Sequence, residues 1–491
     1  KLYPRMEHFI PEIAWHDRKG LLSIDIDERS GDDRYRIVTC SMEKEIRIWE
    51  IVFQRWKDGK TSELIVNFIA NIPGHHNAIN TVAFHTINNA HYLASGDSFG
   101  RLIIWKLSEE DEEGPPSAIQ DEKETDLPPN KENWKKHKGM VCHENDVTCL
   151  AWQPNGSKLA SVGRDNRLYV HDGPTGKRML SVENLREFPN GITWDPLGKY
   201  MITQSTDRKM EIIDAIKGTK LKWLYALNFP ELHFSSHTTE AAQSTRLFAD
   251  DQMMAFKRLP AFSPCGQLIV VPCAHIESRE HNFYGNYVFK RRDAISKGRP
   301  SWILPSPKAT FLIKMCPMIM ALDENTKENY SGLPHRIIWL ALSTNAVIFY
   351  DSQHCGPIAY VDNIHYLKLT DASWSRDGKL VAVSSLEGYA SFFRLSFDQW
   401  GARVIPAPSF EASPEKKKTK AVKKKLAPAN PPAVQAPPAP STPKTPKTPK
   451  TPKTAKVSLL HKFFKPASPN TQPKPEEPKK RRVALITLED E

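Results

Sequence analysis

The chain has 491 residues, 40% of them hydrophobic and 25% charged, and a formal net charge of +11. Its seven cysteines are scattered and never spaced C-x-x-C, which argues against both a disulfide framework and a zinc site. No run of 18 apolar residues occurs and no signal-type n-region and h-region open the sequence, so an intracellular protein with no membrane partner is expected.

The charge is unevenly divided. Residues 411–491 carry 19 Lys and Arg against 7 Asp and Glu, which leaves 49 basic and 50 acidic residues for all the rest. The basic excess therefore sits in the tail, and a general nucleic-acid-binding face on the preceding part is not indicated.

In chain order, the first strand candidates are residues 8–14 and 21–26, followed by a β-rich run that ends at Trp49. The same kind of ending recurs at Trp105, His171, Ile213, Phe289, Tyr350 and Phe393. The clearest unit spans residues 143–172, where alternation over 147–152 and β-rich runs at 159–162 and 168–170 are separated by Asn155-Gly156 and Asp165-Asn166 turns. A strand unit of this size cannot bury both faces alone, so neighbours like itself are required. Seven endings predict an all-β fold, a seven-bladed WD-repeat β-propeller over residues 8–400, each ending being the third strand of a four-stranded blade. Closure of the ring needs an outer strand for blade seven from elsewhere, and residues 8–14 are the candidate. The irregular stretches 108–140, 229–257, 274–285 and 320–334 are expected as insertions, the first of them acidic.

In repeats of this type a His, a Ser or Thr, an Asp and the Trp form a buried hydrogen-bonded set. In the clearest unit the set is His143, Ser161 and Asp165, with His171 in place of Trp. His75, Asp207, Trp49 and Trp105 are the corresponding structural residues of other blades. Glu43 and Glu387 take the Asp position in blades one and seven, and Phe99 takes it in blade two, while blades five and six fit poorly. No phosphate-binding loop, nucleophile elbow or H-E-x-x-H occurs, and no catalytic, cofactor or metal residue is assigned.

Residues 401–491 read as a disordered basic tail rich in proline and lysine, suited at most to weak, non-specific DNA contact. Thr442, Thr445, Thr448 and Thr451 stand in four Thr-Pro-Lys repeats, and with Ser413 and Ser468 they are candidate proline-directed phosphosites, an extended spacer being the alternative. Residues 457–464 form an apolar island in which Leu460, Phe463 and Phe464 have the spacing of a sliding-clamp peptide. Val457 stands where that peptide has Gln, so another partner motif or an incidental island remain as alternatives. Lys479, Lys480, Arg481 and Arg482 read as a nuclear import signal, hence a nuclear protein. The apolar continuation through Val483, Leu485, Ile486 and Leu488 is more than import requires.

Segments outside the repeat consensus carry a closer likeness. Residues 12–16 (EIAWH), 130–134 (NKENW), 193–198 (TWDPLG), 248–251 (FADD), 256–259 (FKRL), 360–366 (YVDNIHY) and 373–374 (SW) make residues 10–396 resemble the WD-repeat middle subunit of the replication-coupled chromatin assembly factor, a histone chaperone complex. The resemblance implies a non-enzymatic scaffold whose propeller docks on the large subunit of the complex, with core histones reached indirectly. It also implies that residues 479–488 add as a β-strand to the anti-silencing histone chaperone. The rival from another class is a substrate-receptor propeller of a ubiquitin ligase.

Overall fold

The computed structural model describes residues 6–55, 62–108, 127–154, 156–185, 187–228, 244–250, 253, 255–277 and 282–406. They form a seven-bladed β-propeller. Strand β1 (Met6–Phe9) comes first, and blade one is β2 (Leu21–Ile26), β3 (Arg34–Ser41), β4 (Ile46–Arg55) and β5 (Ser62–Ile72). Blade two is β6 (Ile79–Ile87), β7 (Ala90–Asp97), β8 (Arg101–Leu107) and β9 (Trp134–Val141). Blade three is β10 (Val147–Trp152), β11 (Lys158–Gly163), β12 (Leu168–Asp172) and β13 (Arg178–Val182). Blade four is β14 (Pro189–Trp194), β15 (Tyr200–Ser205), β16 (Met210–Asp214) and β17 (Lys220–Leu224). A hairpin of β18 (Ala226–Asn228) and β19 (Ser244–Arg246) precedes blade five, which is β20 (Ala261–Phe262), β21 (Leu268–Glu277), β22 (Asn282–Lys290) and, after the short helix α1 (Arg291–Ser296), β23 (Trp302–Ser306). Blade six is β24 (Thr310–Met320), β25 (Arg336–Ser343), β26 (Ala346–Asp351) and β27 (Ala359–Asp362). Blade seven is β28 (Leu369–Trp374), β29 (Leu380–Ser385) and β30 (Ala390–Leu395), and β31 (Val404–Ile405) follows. All seven predicted endings fall on third strands.

Blades are tied to one another by two repeated devices. A polar residue second in an innermost strand donates to the carbonyl that opens the next blade. Asn80 bonds Val147 O at 3.0 Å, Thr148 bonds Pro189 O at 2.6 Å and Thr370 bonds Leu21 O at 2.8 Å. A Trp that ends an innermost strand donates its indole N–H backwards: Trp152 to Ala83 O at 3.1 Å, Trp194 to Ala151 O at 2.9 Å and Trp374 to Lys314 O at 3.0 Å. Each satisfies a backbone group that the narrow end of a blade would otherwise bury unpaired. Between the seams lies apolar packing, as where the fully buried Trp15 meets Trp49 of blade one and Phe392 of blade seven.

The ring closes as expected but with shifted bounds. Strand β1 pairs antiparallel with β30, Met6 opposite Leu395 and Phe9 opposite Phe392. It stops before residues 10–14 because Pro11 has no N–H to add to the ladder, and the chain then turns, Trp15 N–H bonding Ile13 O at 3.1 Å. Two insertions also need correction. Only residues 108–133 are inserted in blade two, since β9 is that blade's outer strand. Residues 274–285 belong largely to the long hairpin β21–β22 rather than to a loop. Blades five and six resisted sequence reading for a physical reason: β20 has two residues, β21 bulges between Val271 and Ala274 with Cys273 at φ 64°, and β24 bulges between Met315 and Ile319. Strand β31 then pairs with the far end of β24 and makes blade six five-stranded.

Candidate functional site

The histidines that recur before innermost strands are held in hydrogen-bonded sets. In blade two His75 Nδ1 lies 3.0 Å from an Asp97 carboxylate oxygen and Nε2 lies 2.7 Å from Ser95 Oγ, to which Trp105 donates its indole N–H at 2.9 Å. A carboxylate only accepts, so Nδ1 carries the proton, Nε2 accepts from the serine hydroxyl, and the serine oxygen accepts from Trp105. In blade three His143 lies 2.9 Å from both Asp165 and Ser161. Burial raises the Asp165 carboxyl, but His143 and the backbone N–H groups of Glu144 and Arg167 together outweigh it and hold the group below its ordinary range. His171 does not take the Trp role: it makes no bond to Ser161 and its buried Nδ1 has no partner among the described residues, while Tyr169 packs edge-on against His143.

Several members were not identified from the sequence. In blade two the carboxylate comes from Asp97 at the end of β7 and not from position 99, where Phe99 is 66% exposed. In blade one Thr39 Oγ1 lies 3.0 Å from both His16 Nε2 and Trp49 Nε1, with Glu43 4.0 Å from the His16 ring. In blade seven His365 lies 3.3 Å from Glu387 and 2.8 Å from Ser391, whose hydroxyl comes from the third strand rather than the second. The signal for His365 was available: it precedes β28 by four residues, as His75 and His143 precede β6 and β10. Among the described residues Asp207 has no histidine partner, and it instead caps its own turn, bonding Ser205 Oγ and Lys209 Nζ.

A second buried cluster joins the segment before blade five to blades seven and one. Lys257 Nζ lies 2.5 Å from Asp371 and 2.9 Å from Ser23 Oγ, and Ser23 donates to Asp371 at 2.6 Å. Burial opposes charge on both ionic groups, yet their mutual attraction prevails: the Lys257 ammonium is held above its usual pKa and the Asp371 carboxyl below. Beside them Ser373 Oγ donates to Asp25 at 2.7 Å, and burial pushes that carboxyl up.

The family-like segments occupy such joints. Asn130 forms two bonds with the backbone of Asn71, accepting its N–H at 2.8 Å and donating to its carbonyl at 3.0 Å, so the inserted segment pairs with the free edge of β5. Glu132 accepts from Arg36 at 2.6 Å and from Trp134 at 3.0 Å. Asp195, fully buried, takes both terminal nitrogens of Arg291. Arg258, also fully buried, donates to Ala249 O at 2.7 Å and to Asp250 O, which anchors residues 248–250. Tyr366, by contrast, is 95% exposed.

Ser413, Thr442, Thr445, Thr448, Thr451 and Ser468 lie outside the described residues, and so do the motifs at 457–464 and 479–488. Among the described residues no three His, Cys, Asp or Glu side chains come together as metal ligands. An open cleft of about 540 Å³ between blades three and four is lined by opposed charges, among them Asp165, Arg167, Glu183 and Lys209.

Residues 6–399 match the family model described as the CAF1B/HIR1 beta-propeller domain. A chromatin assembly factor 1 subunit of Gallus gallus is 33% identical over 423 residues, which cover 84% of this chain and 72% of that protein. The like-named protein of Saccharomyces cerevisiae is 26% identical over 82% of this chain and 89% of its own length. Protein hir-1 of Neurospora crassa is 25% identical over 72% of this chain but only 33% of its own length. With the propeller, its joints and these matches in agreement, the chain belongs to the CAF1B/HIR1 beta-propeller family.

Proposed function

We propose that this chain is a non-enzymatic scaffold subunit of a nuclear histone chaperone complex that deposits core histones on newly replicated DNA. One observation carries the reading: the family match runs over residues 6–399, and the segments that distinguish it from a generic propeller include the Asn130 edge, the Asp195–Arg291 pair and the Lys257 cluster. The propeller docks on the large subunit of the complex, and core histones reach this chain through partners. Residues Arg481, Arg482, Val483, Leu485, Ile486 and Leu488 add as a strand to the anti-silencing histone chaperone, alternation placing Val483 and Leu485 on one face. The same basic cluster, from Lys479 to Arg482, serves as the nuclear import signal.

Purification of the tagged full chain from nuclear extract, followed by mass spectrometry, tests the assignment. Recovery of histones together with the large subunit of a chaperone complex is expected, whereas ligase adaptors in their place would identify a ubiquitin-ligase receptor. The double substitution Arg481→Ala/Arg482→Ala should abolish capture of the anti-silencing chaperone and leave capture of the large subunit intact. Unchanged capture of the chaperone refutes the strand motif alone. A peptide of residues 452–468, with Phe463 and Phe464 changed to Ala as control, tests clamp binding by titration. Mass spectrometry of protein from cycling cells tests phosphorylation at Ser413, Ser468 and the Thr-Pro-Lys threonines.

A further inference from the structure

Blades one to four share a β-bulge at one place, opposite the end of the third strand. The ladder shifts between Ile48 and Trp49, Ile104 and Trp105, Val170 and His171, and Ile212 and Ile213, so that the outer strand carries one extra residue in each: Ile69, His137, Met179 and Leu221. In blade one the extra residue is covered, Ile69 being 4% exposed, because the inserted segment lies along the strand: Lys131 N–H bonds Ile69 O at 2.7 Å and Asn130 brackets Asn71. In blade two the bulge residue, His137, reaches Pro174 O of blade three at 2.6 Å. In blades three and four it is bare, Met179 being 53% and Leu221 43% exposed, with Trp223 beside it at 63%.

The covered edge in blade one shows the kind of group such an edge takes, a stretch of extended chain. The bare edges add charge. Residues 134–224 hold 15 Lys and Arg against 10 Asp and Glu, whereas residues 1–410 as a whole carry one more acidic than basic residue. Of the acids near this rim, Asp172 and Asp214 cap their own turns, accepting from Thr175 and from the backbone of Ile216 and Lys217, Asp195 binds Arg291 and Glu211 lies 3.6 Å from Lys220, while Glu183 and Glu187 are exposed. The turns before β13 and β17 are built alike, with Gly176 at φ 71° and Gly218 at φ 70°, and they leave Lys177, Arg178 and Lys217 flanking Met179 and Leu221, whereas Lys220 is held by Glu211 and the Asn184 carbonyl.

We propose that the outer rim of blades three and four docks an acidic, extended polypeptide segment of a partner chain, its apolar residues covering Met179, Leu221 and Trp223 and its carboxylates facing the flanking cations. The assignment goes beyond the assembly role above and stands or falls separately from it. Outer-strand edges with interleaved apolar side chains suit a polypeptide, which brings both backbone partners and apolar groups, better than the phosphate backbone of a nucleic acid.

The test uses the full chain and a fluorescein-labelled 20-residue peptide of Asp and Glu with Leu at every fourth position, read by fluorescence anisotropy at physiological salt. Kd should rise at least tenfold in Lys177→Glu/Arg178→Glu/Lys217→Glu and in Met179→Ser/Leu221→Ser, with the melting temperature unchanged. Because the tail is basic, a control replaces Lys416, Lys417, Lys418, Lys423, Lys424 and Lys425 with Gln, and its Kd should stay within twofold. Hydrogen exchange should slow in β13 and β17 when the peptide is added to the unmodified protein, a readout that needs no variant. Failure of the peptide to bind, or loss of binding only in the tail control, overturns the proposal. A 20-base-pair DNA duplex that binds more tightly and depends on the same rim residues overturns it in favour of nucleic acid.

Discussion

Replacing Lys257 with Ala removes the ammonium but leaves Asp371 buried, with Ser23 as its one remaining polar side-chain partner in the cluster. The side chains of Lys257 and Asp371 are 4% and 3% exposed. Breaking a pair so deeply placed leaves a buried carboxylate with only the charge of Lys314 acting on it through space, and costs about 3–5 kcal/mol. At about 2.1 cal/mol/K per residue for unfolding, a propeller of roughly 400 residues loses about 0.8 kcal/mol of stability per degree near its melting temperature, so a 4 kcal/mol loss lowers Tm by about 5 °C. Replacing both charges, as Lys257→Met/Asp371→Leu, removes the buried charge as well and should recover most of that loss. Calorimetry on the full chain, with urea titration as a check, measures both. A single substitution that costs under about 1 kcal/mol, or a double no more stable than the single, refutes the view that this pair is a buried joint of the ring.

Acid should weaken the fold through the blade histidines. Burial, with Arg47 nearby, lowers His16 to about 3, and burial, with His143 and Arg178 nearby, lowers His171 to about 4. A free histidine titrates near 6.5, so below that pH the unfolded chain binds protons that the folded chain refuses, and stability falls by about 2 kcal/mol per group by pH 5. A urea midpoint that is the same at pH 7 and pH 5 contradicts this. Ser95→Ala strands both His75 Nε2 and Trp105 Nε1 and should cost about 2–4 kcal/mol, whereas Ser161→Ala strands His143 with no indole beside it, the weak contact to the Cys142 thiol adding little, and should cost about 1 kcal/mol less; equal losses in denaturation would refute the difference. Asn130→Ala removes two bonds from the edge of β5 and should cost about 1 kcal/mol, seen as faster hydrogen exchange at residues 69–72.

The repeat was readable in blades one to four and seven, where the first and second strands keep their length and any register shift is a single residue. Third strands end in a large side chain that packs between sheets, and that position survives even where Trp becomes His171 or Ile213. Reading failed at the two-residue β20 and at the longer bulges of β21 and β24, because several residues in a row there leave the ladder and alternation no longer reports facing. It failed in another way at Asp97, where fixed counting back from the strand end assumed one turn length for every blade. The Lys257–Asp371 pair was invisible for want of any local signal: the partners are 114 residues apart and meet only when the ring has closed. The shared bulge of blades one to four was equally hidden, since its extra residue is Ile69, His137, Met179 or Leu221, with no common chemistry.

The clasp between β1 and β30 sets a timetable for synthesis. Phe9 pairs with Phe392, so the propeller's first strand waits for nearly its last. At about 5–20 residues per second the wait is roughly 20–75 s. Through that interval Trp15 and the outward face of blade one have no Phe392 to pack against, and the first sheet stands as an open edge. A ring closed by its own first strand is thus most exposed to mispairing while it is being made, and a second copy's blade seven offers the same edge as its own.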